Sequence, residues 1–169
     1  MAAPLPAQAT RYVAERLNAD FGLYLSNAQS LAQRRSDWQH IEVFENPLFG
    51  RVMRIDGAFM TSERDEFFYH EPMVHLPAIA HPGVRRALVV GGGDGGAAEE
   101  LLKLPGIEQV VMAELDGEVV AMAREWLGSI HKGAFDDPRF TLRLGDAREF
   151  IASTGDRFDQ IVLDLTDPF

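Results

Sequence analysis

The stretch Ala87-Leu88-Val89-Val90-Gly91-Gly92-Gly93-Asp94-Gly95-Gly96 decides the fold. Its first four residues are a short apolar run ending in two β-branched valines, the pattern of a strand buried on both faces. The glycines after it let the backbone turn sharply and lie against a ligand that side chains would hold off. Ala97 to Leu104 carries apolar residues at Ala97, Leu101 and Leu104 and stops at Pro105-Gly106, which predicts a helix. Strand, glycine turn and helix together make the nucleotide-binding corner of an open α/β sheet.

The spacing Gly91-x-Gly93-x-x-Gly96 is a weak sign alone. It gains weight from a second predicted strand, Gln109 to Ala113, closed by Glu114, which lies 18 residues beyond Gly96. A carboxylate at that strand end can accept from both ribose hydroxyls of a nucleoside. Asp94 is the unusual member of the loop. Among backbone N–H donors at a helix N-terminus it would repel a phosphate, so the loop suits a cationic ligand.

Reading downstream, Asp116 can cap a helix whose apolar stripe is Val119, Val120, Ala123, Trp126 and Leu127. A third strand, Phe140 to Leu144, ends in Gly145-Asp146, and a short helix, Ala147 to Ala152, follows. A fourth strand, Phe158 to Leu163, runs into Asp164. Strands alternating with helices predict a parallel, right-handed sheet with ligands at the strands' carboxyl ends. Asp94, Glu114, Asp146 and Asp164 each follow a different strand and are expected to line one cleft, although Asp146 also suits a helix cap. Clustered carboxylates raise one another's pKa and stabilise cations, which is what holding and deprotonating an amine requires.

Reading upstream, residues 1–10 are small, Ala/Pro-rich and expected to be disordered. Arg11 to Asp37 is ambiguous: Tyr12, Val13 and Leu17 fit one side of a short helix, and Phe21 to Ser26 a short strand. His40-Ile41-Glu42-Val43 and Arg51-Val52-Met53-Arg54-Ile55 alternate, with turns at Asn46 to Gly50 and Asp56-Gly57, so residues 11–61 read as an N-terminal β-strand domain and 62–169 as the nucleoside-binding domain. Ser62 and Asp65 resemble a capping box, predicting a helix from Ser62 that Pro72 ends or kinks. His70-Glu71 and His75 are one residue too far apart for zinc-protease spacing, and with proline between them no metal site is expected.

Composition narrows the function. The chain has 169 residues, 46% hydrophobic, with a formal net charge of -10 and no cysteine. That excludes disulfides and thiolate zinc, and argues against nucleic acid as a partner. The sequence offers neither a membrane-spanning run nor a signal peptide, so a cytoplasmic location is expected.

Several separate blocks resemble the polyamine aminopropyltransferases, the spermidine synthase family: Gly91 to Gly96, Glu114-Leu-Asp116, Gly145-Asp146 and Asp164-Leu-Thr-Asp-Pro168. Asp56 to Glu71 is similar to that family's most distinctive segment, and Gln39 sits where the family has a glutamine. The resemblance implies a Rossmann-like sheet of the class I methyltransferase type, with helices on both faces, behind a small antiparallel β domain. It implies aminopropyl transfer from decarboxylated S-adenosylmethionine, as co-substrate, to putrescine or a related amine, releasing methylthioadenosine. Glu114 would then bind the ribose, Asp146 the adenine amino group and Asp94 the ammonium of the aminopropyl arm, with Gly91, Gly93, Gly96 and Gln39 also on the cofactor side. Asp164 would be the base, Tyr69 would position the attacking amine, and His70 and Asp167 would stand at the amine end. A homodimer or higher homo-oligomer is implied as well.

The chain departs from the family in places. Met60 replaces a usual glutamine, Leu165-Thr166 replace Ser-Ser, Glu99 stands where a basic residue is common, and Pro72 interrupts a helix. The family's sheet continues past the fourth strand, so on this resemblance the chain is expected to lack the C-terminal part, with the amine half of the site incomplete and turnover weak or absent. Two other readings fit the same corner: a methyltransferase using intact S-adenosylmethionine, and a non-catalytic nucleoside- or polyamine-binding module.

Overall fold

A computed structural model describes residues 12–166. The first two strands, β1 (Tyr12–Arg16) and β2 (Gly22–Ser26), form an antiparallel ribbon in which Tyr12 faces Ser26 and Arg16 faces Gly22. Among the described residues, the stretch left open between helix and strand thus forms strands joined by turns and contains no helix. Asn18 closes the ribbon, its Oδ1 accepting from Asp20 N and Phe21 N at 2.9 and 3.0 Å. Residues 1–10, expected to be disordered, lie outside the described residues.

Next come β3 (Gln29–Arg35), β4 (His40–Asn46), β5 (Gly50–Ile55) and β6 (Ala58–Ser62), an antiparallel meander in that order. Asn46 Oδ1 accepts from Leu48 N and Phe49 N and makes the β4–β5 turn. Ile41, Val43, Met53 and Ile55 are buried and join the same core cluster as the parallel sheet that follows.

The helix expected from Ser62 starts later. α1 spans Phe67–Ala80, and the Ser62 hydroxyl donates instead to the Asp65 carboxylate in a turn before it. Pro72 does not end α1, which runs through Pro72 and Pro77. Each ring removes one i→i−4 bond. Tertiary packing offsets that loss: Val74 is wholly buried, and Gln160 Nε2 donates to its carbonyl at 2.9 Å.

The chain then alternates β7 (Arg86–Gly91), α2 (Gly96–Leu102), β8 (Gln109–Glu114), α3 (Gly117–Trp126), α4 (Gly128–His131), β9 (Phe140–Leu144), α5 (Ala147–Ser153) and β10 (Gln160–Asp164). The four strands are parallel in the order β10-β7-β8-β9. On one face Ala87, Val89, Val110 and Met112 pack with Ala97, Leu101, Val119 and Ala123. On the other, Leu88, Val90, Val111 and Ala113 pack with Ala147, Phe150 and Phe158. Asp116 caps α3 as expected, accepting from Glu118 N at 2.9 Å. β10 is bonded to β7 alone among the described strands, and Ile161 and Leu163 on it are 54% and 65% exposed. Among the described residues no helix is long and apolar enough to cross a membrane.

Candidate functional site

The end of β7 and the end of β10 meet at the glycine turn. Gly92 N donates to the Asp164 carbonyl at 2.9 Å, and a Cβ on Gly91 would lie 2.2 Å from that oxygen. Gly91 and Gly92 also hold φ of +79° and +73°, a region side chains avoid. Strand contact as well as ligand access thus demands glycine here.

Beside this turn a cavity of about 390 Å³ opens between the meander and the parallel sheet. Asp94, Glu114 and Asp164 line it, as the strand-end argument expected, with Gly91 and Gly93 in its floor. Gln39, Tyr69 and His70 line it too, and Met53, Ile55, Phe59, Met60 and Val119 supply apolar wall.

Asp146 corrects the expectation that four carboxylates share the cleft. It is not among the cavity residues: it caps α5, accepts from Arg148 N at 2.8 Å, and is paired with the Arg148 guanidinium at 2.6 Å. The helix-cap alternative describes its position. Gly96 is likewise not at the cavity surface but under His70, where a Cβ would lie 2.3 Å from His70 Cε1. Its lack of a side chain lets the imidazole sit against the loop. Asp167 lies outside the described residues.

The residue that spacing missed is Glu66, just ahead of α1 and buried. Its Oε2 lies 2.7 Å from His70 Nδ1, four residues on. The signal was the i, i+4 spacing on the helix expected from Ser62, which by itself does not tell a buried pair from a surface one. His75, by contrast, turns away to Glu100, 2.7 Å from its Nε2, so the two imidazoles of the near-zinc motif serve different partners.

His70 organises the charges. Its Nε2 lies 3.5 Å from Asp94 Oδ2 and 3.9 Å from Asp164 Oδ2, so carboxylates face both ring nitrogens. Burial works against the imidazolium, but Asp94, Asp164 and Glu66 outweigh it and push the pKa up to about 9. For Asp94, burial is overcome by the hydrogen bond and charge of His70, then by the Gly96 N–H at 3.0 Å, and the carboxyl stays below its usual range. Burial and then the Asp94 charge push Asp164 up to about 7, against His70 and a hydrogen bond from the Tyr69 hydroxyl. Asp164 Oδ2 has no hydrogen-bond partner of its own. Burial also raises Glu114, opposed by Asp116 N donating at 2.9 Å.

These values set a pH dependence. The raised His70 stabilises the fold below about 6.5, and that contribution is lost as pH climbs through about 9. The raised Asp164 favours its protonated form, so its contribution is complete only below about 3.8 and is lost through about 7. Both losses have the same sign. The melting temperature of the unliganded chain is expected to fall as pH rises from 6 and to level off above about 9; a thermal melt series that is flat between pH 6 and 9 contradicts the charge arrangement.

Comparison with known proteins identifies the family. Residues 66–169 match the family model of the spermine/spermidine synthase domain, and residues 12–63 that of the spermidine synthase tetramerisation domain. The chain is 61% identical over 167 residues to a polyamine aminopropyltransferase of Nitrosomonas europaea, covering 98% of this chain and 51% of that protein. To polyamine aminopropyltransferase 1 of Pseudomonas aeruginosa it is 46% identical, over 91% of this chain and 54% of that one. A solved spermidine synthase in complex with the transition-state analogue AdoDATO superposes with a TM-score of 0.90 at 37% identity, covering 99% of this chain and 57% of that one. The spermidine synthase of Thermotoga maritima gives 0.88 at 36% identity, over 97% and 57%. The chain spans about half the length of the curated relatives it matches. A glycine turn carrying a half-buried aspartate, an acidic second-strand end and two family models across nearly all described residues lead to one assignment: the chain belongs to the spermine/spermidine synthase family.

Proposed function

We propose that the cavity binds decarboxylated S-adenosylmethionine and an amine of the putrescine class and transfers the aminopropyl group between them. The observation that carries this reading is the pair Asp94 and Asp164, whose carboxylate oxygens converge on one imidazole nitrogen, His70 Nε2, beside the glycine turn. Glu114 accepts from the ribose hydroxyls, with Gln39 on the same side, and Asp94 holds the ammonium of the aminopropyl arm. Asp146 reaches the adenine amino group only when Arg148 releases it.

An ammonium has no lone pair, so the acceptor must lose a proton before it attacks. Asp164, with an unpartnered oxygen and a pKa near 7, takes that proton while Tyr69 aims the nitrogen. The nitrogen then bonds to the carbon next to the sulfonium. The carbon–sulfur bond breaks, its electron pair stays on sulfur, and neutral methylthioadenosine leaves. His70 and Asp167 stand at the acceptor end.

The meander and ribbon, residues 11–61, are proposed as the assembly unit of a homodimer or higher homo-oligomer, and 62–169 as the nucleoside-binding unit. Exposed Tyr12, Leu23 and Tyr24 on the ribbon support a contact there.

Calorimetric titration tests the reading. The decarboxylated cofactor is expected to bind about tenfold or more tightly than intact S-adenosylmethionine, whose carboxylate Asp94 repels. Equal affinity, or preference for the intact form, overturns it in favour of methyl transfer. Preference for the decarboxylated form with no methylthioadenosine released leaves a binding module.

A further inference from the structure

A second cavity, of about 360 Å³, opens on the other side of His70. Glu66, Asp65, Thr61 and Phe68 line it, and none of these four lines the first cavity. His70 and Tyr69 line both. The imidazole is thus a partition, 2% exposed, with Asp94 and Asp164 against one nitrogen and Glu66 against the other.

We propose that Glu66 and His70 form the exit by which the proton taken from the acceptor amine leaves the site, passing from Asp164 to His70 Nε2, from Nδ1 to Glu66, and from Glu66 to water in the second cavity. This rests on the aminopropyl-transfer reading of the first cavity and adds a role for a residue outside it.

The second hop is already a hydrogen-bond contact of 2.7 Å. The first runs from Asp164 Oδ2, the oxygen without a partner, to His70 Nε2 across 3.9 Å, so the carboxyl must move toward the ring before it can hand over the proton. Four groups face the imidazole: Glu66 ahead of α1, Tyr69 on it with its ring edge-on at 5.3 Å, Asp94 from the glycine turn and Asp164 from β10. Without ligand, three of these are carboxyl groups, which keep both ring nitrogens protonated. When a cationic cofactor and an ammonium enter beside Asp94 and Asp164, their charge expels the Nε2 proton to the water they displace from the first cavity. The ring is left with Nδ1–H toward Glu66 and a lone pair on Nε2. Once the amine gives its proton to Asp164, Nε2 accepts it as Nδ1–H passes to Glu66, and water then takes the proton. One proton enters and one leaves, and Asp164 is again a carboxylate.

The exit is tested with Glu66→Gln, which keeps shape and hydrogen bonding but cannot carry the proton. Its kcat for methylthioadenosine formation is expected to fall about tenfold or more with KM for the cofactor changed less than about twofold, and acetate is expected to restore turnover to Glu66→Ala. A structural pairing would lower both parameters and stability without rescue. Glu66→Asp, with a carboxylate one methylene shorter, is expected to lie between wild type and Glu66→Gln, and it serves if the glutamine variant does not fold. An independent readout is calorimetry at pH 8 in buffers of different ionisation heat: the wild type is expected to release a proton on binding the decarboxylated cofactor, and Glu66→Gln clearly less. A Glu66→Gln enzyme within twofold of wild type, or equal proton release by both, overturns the exit. Release of no methylthioadenosine by the wild type defeats the aminopropyl-transfer reading instead, which the proton count does not depend on.

Discussion

Replacing Asp164 by asparagine is expected to lower methylthioadenosine formation by about 10²–10⁴-fold, the usual worth of a positioned general base, while cofactor affinity changes only a few-fold. The amide has the carboxylate's shape and cannot take a proton. The same change has the opposite sign for the fold. Asp164 is held near 7 because burial and Asp94 disfavour its charge, so its ionised form costs stability at any pH above that value. Asparagine removes this cost, and Glu66 and Asp94 remain as partners of His70. Urea unfolding at pH 8 is therefore expected to find the variant more stable by about 1 kcal/mol or more, with the advantage vanishing as pH falls toward 4. A variant that is both inactive and less stable at pH 8 contradicts Asp164 as a base kept under strain.

Asp94→Asn is expected to act on binding and stability together. A hydrogen bond to a charged group is worth about 1.5–3 kcal/mol, so affinity for the decarboxylated cofactor drops about 10–100-fold. Affinity for intact S-adenosylmethionine, no longer repelled, holds or rises, and the discrimination between the two disappears. The buried imidazolium loses its strongest partner, at a cost of about 2–4 kcal/mol, short of a fully orphaned charge because Glu66 stays in place. Titration of both cofactors with the variant, alongside its urea midpoint, checks the two effects. Retained preference for the decarboxylated form removes Asp94 from the ammonium site.

The glycine corner was legible because parallel strands are buried on both faces and therefore read as apolar runs, and their ends carry the ligand. That single rule brought Asp94, Glu114 and Asp164 to one cavity. It failed at Asp146 because a strand end fixes where a Cα lies and not where its side chain turns. Arg148, two residues on, and the open N-terminus of α5 claim that carboxylate. Pro72 misled for a related reason: local helix-breaking is weighed against packing, and the burial of His70 and Val74 keeps α1 continuous. The ribbon at Tyr12–Arg16 was ambiguous because five residues satisfy a helical or an alternating pattern equally, and pairing with Gly22–Ser26 decides between them. Glu66 was not singled out because i, i+4 spacing shows only that it can meet His70; that the pair is buried beside Asp94 and Asp164 is set by tertiary packing.

The strand order bears on how the pocket comes into being. β7 and β8, which carry the nucleoside side, pair Ala87 with Val110, near neighbours along the chain; β7 and β10 pair Ala87 with Gln160, a much longer closure. Long closures are entropically the harder ones to make. A cation held between Asp94 and Asp164 would therefore tie together the two strands joined by the longer closure.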